Sequence, residues 1–238
     1  MVKQPKNWQR NINVLSAVSA CIAIYFEFVG HDLYAFFKPL TTVFITSLLF
    51  FTLKSERSKF KFIMIFAFGF CLLGDILLLN QAYFVFGLAA FLMAHILFTA
   101  GFIHLKGFRS HWGSFLILFS VGTAILLWLK PDLEDFMLPV LVYVLVITSM
   151  AWQGIGLYLR DKGKAYVWIA VAVLLFMFSD TLLAINKFKA PFAYASLLIL
   201  GTYWLSIALI ANATYQIDLK NKERFFFNGS RVYWLVHF

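Results

Sequence analysis

Residues Phe60–Leu79, FKFIMIFAFGFCLLGDILLL, form an apolar run broken in its interior only by Asp75. At about 1.5 Å of rise per residue, a helix of this length crosses the roughly 30 Å hydrocarbon layer of a bilayer. Comparable runs flank it at Ile12–Phe28, Leu33–Leu53, Tyr83–Ile103, Gly113–Leu129, Phe136–Leu159, Ala165–Ile185 and Pro191–Ala213. The chain is 62% hydrophobic and 13% charged, with 29 phenylalanines among 238 residues, more apolar bulk than a water-soluble core of this size can bury. The expected fold class is all-α: a polytopic membrane bundle of about eight transmembrane helices. Residues 1–216 are read as the transmembrane domain and 217–238 as a basic cytoplasmic tail.

Loop charge sets the expected orientation, because lysine and arginine near span ends are retained on the cytoplasmic side. Of the 20 basic residues, all but Lys38, Lys130, Lys187 and Lys189 fall in the N-terminal segment, the segments at Lys54–Lys61, His104–His111 and Arg160–Lys164, and the tail from Lys220. Both termini are therefore expected on the cytoplasmic side. The net charge of +9 reads as this topology signal with some attraction to membrane lipid headgroups, and no nucleic-acid motif accompanies it. Cys21 and Cys71 lie in expected spans without metal-ligand or disulfide spacing and are read as packing residues. The first span is kept as a span rather than a cleaved signal, since eight spans already satisfy the charge rule.

Asp75 has a counterpart. LLGDILLLN (Leu72–Asn80) and MFSDTLLAIN (Met177–Asn186) place Asp75 and Asp180 in the third and seventh spans, each followed by an asparagine near the helix end. The match suggests two parallel four-helix repeats. Counted back from Asn80 and Asn186, both carboxylates lie about 8 Å below the non-cytoplasmic surface. Glu27 and Lys38 fall in the same layer, while His95 and Tyr203 lie midway down spans four and eight, within expected reach of a cavity open to that face.

A carboxylate within a span is costly, so it usually faces a protein cavity and serves chemistry or transport. Two carboxyl groups held close together do not ionise together, which leaves one as an acid and its partner as a base. Asp75 and Asp180 are the catalytic candidates. Lys38, His95, Tyr203 and Glu27 are the substrate-binding candidates. Gly69, Gly74, Gly87, Ser179 and Gly201 are expected to permit close helix approach. No nucleophile elbow, zinc-protease motif, P-loop or dinucleotide fingerprint is present.

Lys38-Pro39-Leu40-Thr41-Thr42, Leu73-Gly74-Asp75-Ile76-Leu77-Leu78, Gly87 with Phe91 and His95, Ser179-Asp180 and Thr202-Tyr203 together resemble the YhhN-like lysoplasmalogenase family. The resemblance implies an integral membrane hydrolase, set in the bacterial inner membrane. It would cleave the vinyl ether bond of lysoplasmalogens to a fatty aldehyde and glycerophosphoethanolamine or glycerophosphocholine. Lys38, Asp75, His95, Asp180 and Tyr203 match the family's polar positions. After Thr202-Tyr203 the family tends to continue with a second tyrosine and then a glutamine, where this chain has Trp204 and Ile207.

Such chemistry proceeds by protonation of an alkene carbon and capture of the oxocarbenium ion by water, for which an acid and a base suffice. No metal or organic cofactor is required. A proton-coupled transporter would use the same intramembrane carboxylates, and a membrane scaffold or lipid sensor would use them only for stability. A lysophospholipid is the expected partner, and the sequence sets no oligomeric state.

Overall fold

The computed structural model describes the backbone of residues 6–52 and 59–235 and the side chains of 7–51 and 59–219. Lys3, Lys54 and Arg57, and the side chains of the expected tail from Lys220, lie outside the described residues. Eight helices carry the chain: α1 (Lys6–Phe28), α2 (Tyr34–Ser47), α3 (Lys59–Leu77), α4 (Phe84–Lys106), α5 (Trp112–Leu129), α6 (Met137–Arg160), α7 (Lys164–Ala184) and α8 (Ala195–Leu235). Among the described residues there is no strand. All eight are long and apolar enough to cross a membrane, the second with the help of a 3₁₀ turn at Leu48–Thr52 that extends it. Helix α8 runs unbroken past residue 216.

Polar contacts between distant loops show how the helices alternate. At one end of the bundle Ser196 donates to Glu27 (2.5 Å), Lys187 to Gln81 (2.8 Å) and Lys189 to Asp132 (2.6 Å). At the other, Lys61 pairs with Asp218 (3.6 Å), Lys106 with Asp161 (3.7 Å), and the Gln153 amide bonds both backbone groups of Arg109. The ends of α1, α3, α5 and α7 thus lie together, as an up-and-down chain of spans requires. Helices α1 and α8 run antiparallel, joined by Glu27–Ser196 at one end and, towards the other, by Asn212, whose Oδ1 accepts from Gln9 (2.6 Å) and Asn13 (3.0 Å).

In a bilayer no hydrophobic force draws helices together, so packing depends on small residues and interhelical hydrogen bonds. Gly74 and Gly87 serve this purpose between α3 and α4. A Cβ on Gly74 would stand 2.6 Å from the Phe91 ring, and one on Gly87 would stand 2.5 Å from Leu78. Ser179 ties α7 to α8 by donating to the Ile199 carbonyl (2.9 Å). Gly69 and Gly201 do not share the role expected of them, because a Cβ at either meets nothing within 4 Å. Cys71 is buried, but Cys21 is exposed on the wall of the open groove between α1 and α8 and is not a packing residue. Phe91, Phe176 and Tyr203 meet edge to face, with ring centroids 5.4–6.4 Å apart, and lock α4, α7 and α8 into one aromatic seam.

These contacts give two glycine substitutions on one helix opposite outcomes. Gly74→Ala should destabilise the detergent-purified protein by about 1–3 kcal/mol through overpacking against Phe91. Gly69→Ala should be neutral or stabilising by up to about 1 kcal/mol, since only the helix propensity gain remains. Thermal unfolding of both variants checks the pair.

Candidate active site

Asp75, on α3, is 1% exposed, and its Oδ2 accepts from Thr42 of α2 (2.5 Å) and from the Tyr203 hydroxyl of α8 (2.9 Å). Asp180, on α7, is held differently. Its Oδ2 accepts from the Tyr143 hydroxyl of α6 (2.5 Å), and His95 Nε2 of α4 stands 3.6 Å away, beyond hydrogen-bond range. Six helices thus converge on two carboxyl groups. Among the described hydrogen bonds none goes to Oδ1 of either aspartate, which leaves one oxygen on each for a ligand.

Both carboxylates line a single cavity of about 490 Å³. Lys38, Glu27 and Tyr203 lie on its wall as well, so the structure brings together five of the six candidates taken from the sequence. His95 is the exception. It is fully buried behind Asp180, edge to face with Phe176 (4.6 Å) and Tyr143 (5.3 Å), and does not line the cavity. From there it reaches a ligand only through Asp180 or Tyr143.

The cavity opens at the end of the bundle marked by Glu27, Gln81, Lys187 and Ser196. A single π turn at Ile185–Lys189 closes α7 and delivers Asn186 and Lys187 to that rim. Wide turns of this kind are frequent at functional sites, where an extra residue per turn redirects side chains. Pro39 falls within α2, directly after Lys38, and removes one backbone donor beside the site.

Two further hollows adjoin the polar cavity. A narrow crevice of about 60 Å³ between α4, α5, α6 and α7 is almost wholly apolar, with Leu88, Ile125, Val140 and Met177 on its walls. Asp180, Phe84 and Leu183 belong to both crevice and cavity, so Asp180 stands where polar lining gives way to apolar. On another side a groove of about 740 Å³ between α1 and the start of α8 shares Glu27, Asn186 and Ser196 with the cavity, and its outer walls carry the exposed Tyr25, Phe28 and Tyr194. An amphiphile could enter from the lipid side along such a groove.

Thr42, Tyr143 and Ser196 bond the acidic residues, and no motif in the chain singles out Tyr143 or Ser196. Thr42 lies one helical turn beyond Lys38 on α2, a spacing that puts both on one face. Tyr143 carries no comparable signal, being one tyrosine in an apolar helix. Ile207 is fully buried in the core, and Trp204 packs in a crevice between α1 and α8; neither lines the cavity, so their departure from the family pattern leaves its wall unaltered.

Residues 33–214 match the model of the YhhN family. The chain is 35% identical to lysoplasmalogenase TMEM86B of Homo sapiens over 139 residues, which cover 58% of this chain and 56% of that protein. It is 34% identical to lysoplasmalogenase TMEM86A of Bos taurus over 150 residues, 60% of each chain. A lysoplasmalogenase of Mycobacterium tuberculosis is 28% identical over 111 residues, 44% of this chain and 41% of that one. The chain thus spans less than two thirds of the length of these curated relatives. No solved structure matches it. With the family match extending from the start of α2 to within α8, and with eight membrane-length helices, the chain is an integral membrane protein that belongs to the YhhN family.

Proposed function

We propose that this protein is a lipid hydrolase that cleaves the vinyl ether bond of lysoplasmalogens. The products would be a fatty aldehyde and glycerophosphoethanolamine or glycerophosphocholine. The observation that carries this reading is the position of Asp180, on the boundary between a polar cavity that also holds Asp75 and an apolar crevice. A lysoplasmalogen has its vinyl ether at the corresponding boundary, between the glycerophospho headgroup and the hydrocarbon chain. With the headgroup in the cavity and only the first carbons of the chain entering the crevice, the labile bond comes to Asp180. The names of the relatives, lysoplasmalogenase in vertebrates and mycobacteria alike, support the same activity over transport.

In this reading Asp180, in its protonated form, gives a proton to the alkene carbon once removed from the ether oxygen. The π electrons form the new C–H bond, and the adjacent carbon becomes an oxocarbenium ion. Asp75, from the polar side, stabilises that cation and takes a proton from the water that adds to it. As the hemiacetal C–O bond breaks, Asp75 returns its proton to the glycerol oxygen and Asp180 takes the proton of the hemiacetal hydroxyl, which releases aldehyde and alcohol and restores both carboxyl groups. One water is consumed. Tyr143, which donates to Asp180 from the crevice wall, is a positioning residue that holds the carboxyl group towards the cavity, and His95 is packed 3.6 Å behind it. Carboxylate pairs support glycosidic cleavage through a similar cation, and general acid–base groups of this kind contribute about 10²–10⁴-fold to rate.

Purified protein given a lysoplasmalogen should release aldehyde. Asp75→Asn and Asp180→Asn should each reduce that release by at least about 10²-fold while thermal unfolding stays cooperative. Full activity in either variant, or no turnover on any vinyl ether lipid, would overturn the assignment.

We also infer that both termini face the cytoplasm and that the cavity opens to the opposite side of a bacterial inner membrane, a reading supported by the basic loops and the even number of spans. Reporter domains that act only in the cytoplasm should be active at either terminus. Activity at one terminus alone would contradict an even number of crossings.

A further inference from the structure

Lys38 is a buried cation with no anion in contact. It is 5% exposed and lines the cavity, yet among the described residues it makes no hydrogen bond and no ion pair within 4.0 Å. Its ammonium stands 5.6 Å from the centre of the Tyr34 ring, and the charges that act on it without contact are Asp75 and Glu27. Were Lys38 the counterion of Asp75, the ammonium would lie against the carboxylate. Instead the Asp75 oxygen that makes bonds is taken by Thr42 and Tyr203. Lining the cavity, its ammonium offers three donors that no described protein group takes, and an anionic ligand in the cavity would accept from them.

The rim supplies the opposite charge. Glu27 is half-buried and lines both the cavity and the lateral groove, with its Oε1 held by Ser196. The cavity's other cation, Lys187, is already engaged, donating to Gln81 and lying 4.6 Å from the centre of the Phe84 ring. An open cation deep in the polar cavity and an acid at its mouth together form a complement to a zwitterion whose anion enters first.

We propose that Lys38 anchors the phosphate of the bound lipid and that Glu27 receives the headgroup amine, so that the cavity selects lysophospholipids whose phosphate bears an amino alcohol. This rests on the lysophospholipid reading of the same site. It adds which residue reads which part of the headgroup, and it places the amine at the mouth, where either a primary or a methylated ammonium fits beside a carboxylate.

The test is equilibrium binding to the detergent-purified full chain, using lipids that lack the vinyl ether and are therefore not turned over. Lysophosphatidylethanolamine, lysophosphatidate and monoacylglycerol of one acyl length supply phosphate with amine, phosphate alone, and neither. Wild-type protein should prefer the first over the last by at least about tenfold, the scale of one charge-assisted contact. Lys38→Gln should abolish the advantage of the phosphate-bearing lipids over monoacylglycerol, and Lys38→Arg should keep it. Glu27→Gln should abolish only the advantage of lysophosphatidylethanolamine over lysophosphatidate.

Equal weakening of all three lipids by Lys38→Gln would overturn the proposal, since the lysine would then serve the fold or Asp75. So would competition by inorganic phosphate as strong as that by sn-glycero-3-phosphoethanolamine, which would make the site a free-phosphate site. If Lys38→Gln does not fold, the wild-type ranking decides: no preference among the three lipids sinks the subsite. None of these outcomes depends on aldehyde release. A protein that cleaves lysoplasmalogen without ranking the headgroups loses only this subsite, and one that ranks them without cleaving loses the hydrolase reading.

Discussion

A carboxylate within a hydrocarbon-length helix must find hydrogen-bond donors or water, because the lipid offers neither. In this protein that requirement is met twice, and meeting it organises the bundle. Asp75 draws α2 and α8 onto α3 through Thr42 and Tyr203, and Asp180 draws α6 onto α7 through Tyr143, with His95 of α4 behind it. The aromatic seam of Phe91, Phe176 and Tyr203 joins the two clusters and excludes water from their backs. What remains open is the polar cavity, on whose wall both carboxylates lie. Packing, hydrogen bonding and the shape of the site therefore follow from one physical cost.

The same cost explains what could be read from the chain. A charged side chain in an apolar run is rare enough to stand out from the sequence alone, and Asp75, Asp180 and Lys38 do meet on one cavity. The eight spans were legible because bilayer thickness fixes their length; the 3₁₀ turn at Leu48–Thr52 completes the expected second span, while the π turn at Ile185–Lys189 carries the seventh a few residues past its expected end. Partners were far less legible. Tyr143 is one of ten tyrosines and Ser196 one hydroxyl among many, and nothing in their local sequence tells which acid each will meet. His95 illustrates the converse: its residue type marks it, but only tertiary packing puts it behind Asp180 rather than on the wall. Glycine was equally ambiguous, since Gly74 and Gly87 admit a neighbouring side chain while Gly69 and Gly201 face open space. A residue's cost is local, whereas its contacts are decided by helices far away in the chain.

The three adjoining hollows divide the demands of an amphiphilic ligand. The lateral groove meets the cavity at Glu27 and Ser196, and the crevice meets it at Asp180, so a lipid that spans the two brings its polar part into the cavity whose wall carries both carboxylates. An acid at the polar–apolar boundary with a second carboxylate on the wet side fits a bond that is itself at such a boundary.

The central chemical claim is that a side-chain acid protonates carbon. Turnover of a lysoplasmalogen in D₂O, with the aldehyde reduced to the alcohol as it forms and its deuterated carbon resolved by NMR of a chiral ester, tests it directly. The account requires the deuterium on the carbon next to the carbonyl in a single configuration, because a carboxyl group fixed in the cavity delivers it to one face of the alkene. Equal amounts of the two configurations would show that the carbon is protonated in free solution, and the carboxylate mechanism would be wrong.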